Sequence, residues 1–234
     1  MQTVASGPVA DAFRAEAERL SEEISGVDEA GLGRPSPCPP WTVGELLSHV
    51  RIGVDRVPAM LAAPAPAPSP GPLISAPGYY RPDQRFSPAT NRDRIAVAQQ
   101  AAAALGTGSD LVRGFDQAWR EAWSAVRRAP PGRVVLTRHG DRMLFTEFLR
   151  TRVLELAVHG LDLAGGLGRP PWLTEAAAVT VADLMLPADV VADLLTQAGW
   201  DQMTLIAKAT GRAPVTSADA ALFERHGLRR LSLG

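Results

Sequence analysis

"CPPWTVGELLSHV", residues 38–50, joins a proline-bound turn to a sharply punctuated helix start. Thr42 can cap, Glu45 completes the T-x-x-E capping box, and Trp41 stands where it can staple against Leu46. A helix therefore begins at Thr42. Along it Val43, Leu46, Leu47, Val50, Val54 and Val57 recur at about 100° per residue, so one face seeks a core. His49 projects from the flank of that face, where it meets either water or a neighbouring helix.

Working outward, residues 9–25 place Phe13, Ala17, Leu20 and Ile24 at helical spacing and end at Gly26, while "GLGRPSPCPP" reads as a connector. Residues 58–82 carry so many prolines that both helix and central strand are disfavoured. They are expected to form a long surface loop, either disordered or a rim or lid over a site. A third helical region covers 91–128, broken at "GTGS", with Leu111, Phe115, Ala118, Ala122 and Val126 spaced for burial and Trp119 and Trp123 one turn apart. "RVVLTRHGDRML" then predicts a short hairpin with His139 solvated at its tip.

The next helix, residues 146–166, is predicted to be capped by Thr146 and stopped by Gly165-Gly166. It is apolar on two sides, and a third strip holds Thr151, Arg152, Glu155, His159 and Asp162. That strip either faces solvent or lines an internal cleft. Residues 174–211 read as two or three further short helices, with breaks at Pro187 and Gly199.

The 234 residues suffice for a substantial core, and 46% hydrophobic with 21% charged residues is ordinary for a soluble protein. A formal charge of -1 supplies no general field for nucleic acid or an anionic membrane. No basic head with an apolar run opens the chain, and no segment reaches the ~18 to 20 apolar residues of a membrane span. A cytoplasmic location is expected. Cys38, the single cysteine, cannot form an internal disulfide, and no base for it is visible in the sequence, so it is read as structural. His226 is expected at the surface, and Tyr79 and Tyr80 could wall a pocket if the proline-rich loop folds over it.

Glu155 and His159 stand four apart, so on a helix they leave one face about a turn from each other. Such a pair is most often an exposed surface interaction. If this helix faces the one that begins at Thr42, however, His49, Glu155 and His159 supply two imidazoles and a carboxylate. That set suits a catalytic zinc with one position open. Asp162 or Arg152 could orient a ligand from behind. No H-E-x-x-H occurs, which excludes a zincin protease.

"SPCPPWTVGELLSHV" together with "TRVLELAVHGLDLA" and the later "ATGR" resembles the paired signature of the DinB-like metalloenzyme superfamily, specifically its mycothiol-dependent maleylpyruvate isomerase family. The resemblance covers roughly residues 9 to 215. It implies an all-α DinB-like four-helix bundle with a short hairpin and a small C-terminal helical appendage, divided as a metal-binding bundle over 1–168 and an extension over 169–234. It also implies zinc or another divalent metal on His49, Glu155 and His159, with mycothiol as cosubstrate. Arg212 in "ATGR" is the nearest match to a family arginine from the C-terminal domain, and it joins Asp162 as a candidate catalytic residue. The tail after Arg212 is short, so that domain is expected to be truncated or reduced here.

The function expected is a thiol S-transferase: zinc favours the thiolate of mycothiol, which adds to an electrophilic small molecule. Thiol-dependent cis-trans isomerisation of the maleylpyruvate type is the close alternative. A non-catalytic ligand-binding bundle and a zinc hydrolase are the others. The partners expected are the thiol and the electrophile, in a monomer or homodimer.

Overall fold

The computed structural model describes residues 7–67, 71–81, 83, 87–228, 230 and 231. Its first helices are α1 (Pro8–Ile24), α2 (Glu29–Leu32), α3 (Val43–Ala62), α4 (Ala76–Tyr79), α5 (Pro88–Leu105) and α6 (Gly108–Arg128). The hairpin β1 (Val134–Leu136) and β2 (Arg142–Leu144) leads into α7 (Phe145–Leu167). There follow α8 (Glu175–Ala182), α9 (Ala188–Ala198), α10 (Gln202–Ala209) and α11 (Ser217–His226). The fold is helical, with strands confined to that antiparallel pair among the described residues.

Helices α1, α3, α6 and α7 form the bundle, each packing against two others, and α5 lies on α3 and α6. The predicted periodicity is the buried face: Phe13, Ala17, Leu20 and Ile24 of α1 and Leu46, Leu47, Val54 and Val57 of α3 are essentially inaccessible. At the start of α3 the capping box forms, with Glu45 N donating to Thr42 Oγ1 at 3.2 Å and Thr42 N donating to Glu45 Oε2 at 2.8 Å. Arg34, in the preceding connector, donates to the Leu167 carbonyl at 2.7 Å and ties that connector to the end of α7.

Several boundaries differ from the sequence reading, each for a local reason. The single-turn helix α2, capped by Asp28, which accepts from Gly31 N at 2.8 Å, runs into the first two residues of the connector. Helix α3 continues through Pro58 to Ala62, carried by the buried face that ends in Val54 and Val57. The proline-rich stretch also holds α4, capped by Ser75; residues 68–70 and 82 of that stretch lie outside the described residues. Helix α7 starts at Phe145, whose N–H donates to the Arg133 carbonyl at 2.7 Å. Strand β2 thus runs straight into the helix, and Thr146 falls inside the first turn instead of capping it. Gly165 and Gly166 do not stop α7, which ends at Gly168 with φ +67°. Residues 174–211 hold three helices among the described residues, α8, α9 and α10, as expected, and α11 follows after Thr210-Gly211 and the N-cap Thr216. Pro187 and Gly199 bound α9 as expected.

Helix α8 packs on both α1 and α7. Its N-cap, Thr174, is held by Glu16 of α1, whose Oε2 accepts from Thr174 N at 2.9 Å and Thr174 Oγ1 at 2.6 Å. A bundle over 1–168 with an extension over 169–234 stands as our proposal for the folding units, and this contact is where the extension would join.

Two outcomes follow from these contacts. Removing the cap in Thr42→Ala should lower the unfolding free energy by about 1 kcal/mol in urea denaturation. Burial raises the Glu16 carboxyl above 4.5, the hydrogen bonds from Thr174 offsetting this only in part. A carboxyl raised in the folded state stabilises below its unfolded value and loses that contribution as pH climbs through the folded value. Stability should therefore decline as pH rises from 4.5, and Glu16→Gln should flatten that decline; identical slopes in both proteins would remove Glu16 as its cause.

Candidate metal centre and its cavity

Helix α3 carries His49 and α7 carries Glu155 and His159 one turn apart. How closely the two helices meet is set at Gly166, where a Cβ would lie 2.6 Å from Val43 Cγ2. Only glycine permits that approach, because any side chain there would force Val43 and the start of α3 outward. At the resulting separation Glu155 Oε2 lies 3.8 Å from His49 Nε2 and 3.3 Å from His159 Nε2. One donor atom from each of the three residues lies within 4.8 Å of the others. The three candidates read from the sequence are brought together.

Each imidazole is held from behind. Trp41 stacks on His49 with ring centroids 4.7 Å apart, so the residue expected to staple Leu46 also fixes a site side chain. His159, 1% exposed, pairs its Nδ1 with Asp162 Oδ2 at 2.9 Å. Asp162 in turn receives two bonds from Arg212, Nε to Oδ1 at 3.1 Å and Nη2 to Oδ2 at 2.9 Å. Arg212 and Asp162 therefore stand behind His159 and line a second cavity of about 710 Å³ with Cys38. Cys38 Sγ lies 3.2 Å from Asp162 Oδ2, a contact that the sequence did not disclose.

Burial pushes the His49 imidazole down to about 4, which leaves it neutral with its lone pair available. Burial also opposes charge on Glu155 and His159, but here local partners prevail. Contacts with His159, His49 and the Arg152 charge hold Glu155 well below the usual carboxylate range. Asp162, Cys38 and Glu155 raise His159 well above the ordinary histidine value.

A divalent cation fits these residues. His159 Nε2 is buried and has no hydrogen-bond partner, since its 3.3 Å approach to Glu155 is an ion-pair distance without hydrogen-bond alignment. With Nδ1 given to Asp162, the carboxylate–histidine arrangement that commonly supports a metal ligand is in place. Cys38, His159 and Asp162 form a second close group of donors. That group is the weaker candidate, because the Arg212 guanidinium already engages both Asp162 oxygens and comes within 3.8 Å of the sulfur. A cation there would face a fixed positive charge.

In front of the triad opens a cavity of about 300 Å³, with His49 and Glu155 in its wall. Arg56 of α3, Arg94 of α5, Arg138 of the hairpin and Arg152 of α7 surround it. Among the described residues no carboxylate lies in ion-pair range of Arg56 or of Arg152, which is 6% exposed. Burial and the nearby charges of Arg138 and Arg152 press Arg56 down to about 10. Arginines scattered over four elements leave no sequence signature. His139, expected to be solvated, instead tilts against Tyr79 with centroids 5.7 Å apart and lines the cavity.

Tyr79 and Tyr80 do wall the cavity. The described part of the proline-rich stretch is fastened there as a rim: Ile74 N donates to the Arg142 carbonyl at 2.9 Å and Ala76 N to Glu147 Oε2 at 2.7 Å. Tyr80 is 7% exposed, and burial keeps its phenol protonated, well above the ordinary value. His226 lies elsewhere, 3.3 Å from Gln197 Oε1. No helix among the described residues is long and apolar enough to cross a membrane.

The chain is similar to two solved structures: a histidine-to-alanine mutant of the mycothiol-dependent maleylpyruvate isomerase, 19% identical with a TM-score of 0.52, and the mycothiol-dependent maleylpyruvate isomerase, 20% identical with a TM-score of 0.48. Each alignment covers 84% of this chain and 75% of the other. The first of them supports the helical fold and, at that identity, the fold alone. No protein of curated function matches the chain in sequence. Residues 13–164, which include His49, Glu155, His159 and Asp162, match the model of the mycothiol maleylpyruvate isomerase N-terminal domain. That match spans more than half of the sequence, and the chain belongs to the mycothiol maleylpyruvate isomerase N-terminal domain family.

Proposed function

We propose that this protein is a zinc-dependent enzyme that activates mycothiol for addition to an electrophilic small molecule, a thiol S-transferase. The observation that carries this reading is the buried Nε2 of His159, left without a hydrogen-bond partner while it faces Glu155 and His49. His49, Glu155 and His159 would hold the cation, with Asp162 keeping His159 in the tautomer that presents Nε2. When bound, the cation supplies a Lewis-acid position that favours thiolate over thiol, whose unperturbed pKa of about 8.5 leaves it mostly protonated at neutral pH.

The remaining work falls to the cavity. Arg56, Arg138 and Arg152 present positive charge in a partly desolvated space, so the electrophile they suit carries an anionic group. Held there, its reactive carbon would be turned toward the triad, while Tyr79 and Tyr80 keep bulk water off one side. The thiolate sulfur bonds to an unsaturated carbon, and the electron pair displaced to the adjacent carbon takes up a proton. In this outcome the sulfur–carbon bond persists. The family's name supports a second reading, in which the same bond forms, the former double bond turns as a single bond, and the sulfur leaves again. We place either activity in the cytoplasm, in a monomer or homodimer, without a nucleic-acid or membrane partner.

Protein purified without a histidine tag should carry close to one zinc per chain, and His49→Ala and His159→Ala should lose it. A chain that takes up no zinc under any loading condition would favour a binding bundle instead. A mass spectrum of the reaction mixture should show the electrophile bearing the thiol; thiol recovered unchanged beside an isomerised substrate would select the second reading, and turnover without thiol would point to hydrolysis. For an anionic substrate, Arg56→Ala should raise KM roughly tenfold or more while the neutral ester of that substrate is unaffected.

A further inference from the structure

Glu155 uses its two oxygens differently. Oε2 faces both imidazoles, 3.8 Å from His49 Nε2 and 3.3 Å from His159 Nε2, whereas Oε1 lies 3.1 Å from the Tyr80 hydroxyl. That hydroxyl also stands 3.1 Å from the Thr151 carbonyl, one turn earlier on α7. A phenol has one proton to give, and an ionised carboxylate is the stronger acceptor of the two. The proton therefore goes to Glu155 Oε1.

The donor is itself held in place. Tyr80 follows α4 in the fastened part of the proline-rich rim, where Ile74 N bonds to the hairpin and Ala76 N bonds to Glu147 in the first turn of α7. Its ring meets Tyr79 edge to face at 5.3 Å. A carboxylate left to itself can offer a cation one oxygen or two. With Oε1 engaged by a fixed phenol, it offers one.

We propose that Tyr80 is a positioning residue for the cation site, holding Glu155 as a one-oxygen ligand and so keeping free the position that the thiol would occupy. This rests on the assignment of His49, Glu155 and His159 as ligands. It gives the rim a role beyond closing the cavity: it sets how tightly and through how many atoms the cation is bound. Tyr80 touches the ligand and not the reacting atoms, so its influence on turnover passes through Glu155.

The test is zinc affinity, measured on the full chain by competition with a chromogenic chelator. Tyr80→Phe keeps the ring and removes the donor, so a purely packing role would leave the affinity unchanged. Loss of a group that supports a metal ligand typically weakens binding by about 10- to 100-fold, and that is the shift expected. The visible bands of the cobalt(II)-loaded variant should also differ from those of the wild type, as the carboxylate turns to offer both oxygens. Infrared difference spectra of the wild type on zinc addition give a reading that needs no variant: a one-oxygen carboxylate signature is expected, and a two-oxygen signature overturns the proposal. Zinc affinity and cobalt bands unchanged in Tyr80→Phe, with zinc bound by the wild type, overturn it as well and leave the metal assignment standing. A wild-type chain that binds neither metal overturns both.

Discussion

The approach of α3 to α7 is the constraint on which the candidate site depends. Gly166 lets the backbone of one helix come against Val43 at the start of the other, and the capping box fixes where that start lies. Farther apart, His49 would be an ordinary half-buried histidine and Glu155 would have a single imidazole beside it. At the distance observed, one carboxylate oxygen stands between two imidazole nitrogens. Stranding such groups away from water is costly unless each is paired. The chain surrounds them from four directions: Trp41 stacks on His49, Asp162 bonds to His159, Tyr80 bonds to Glu155, and the Arg152 charge acts on that carboxylate from beyond ion-pair range.

His159 divides the chemistry of the molecule into a front and a back. Its Nε2 looks toward Glu155, His49 and a small cavity ringed by guanidinium groups. Its Nδ1 looks toward Asp162, which Arg212 and Cys38 surround beside a larger cavity. Both Arg212 and Asp162 were expected at a reacting centre, and the structure assigns them a place one side chain removed from the front cavity. Arg212 comes from the segment after residue 168, so that segment reaches the site through the Asp162–His159 contact.

What could be read from the sequence was what is encoded locally. Thr42 and Glu45 stand three apart and make a box wherever they fold; Glu155 and His159 stand four apart and share a face wherever they are helical. The resemblance to a known family then linked His49 to that pair across more than a hundred residues, a link that periodicity could not make. Features set by tertiary contact were out of reach. Pro58 did not end α3, because the buried Val54 and Val57 outweigh one missing donor. Thr146 lost its role as a cap to a strand running directly into the helix. Arg56 and Arg138 resemble surface arginines in sequence, and nothing about Tyr80 in a proline-rich stretch announces a hydrogen bond to a residue 75 positions away. Cys38 looked inert because Asp162 and Arg212, its neighbours in space, are distant in the chain.

X-ray absorption at the zinc edge tests the central claim most directly, since it counts the atoms around the ion without reference to activity. Zinc-loaded protein should show histidine nitrogens and carboxylate oxygen at about 2.0 to 2.2 Å, with a sulfur appearing at about 2.3 Å only after mycothiol is added. Sulfur present before any thiol is added would place the ion on Cys38, His159 and Asp162 instead. Scattering without the imidazole pattern would take it off both histidines, and either result would contradict the account given above.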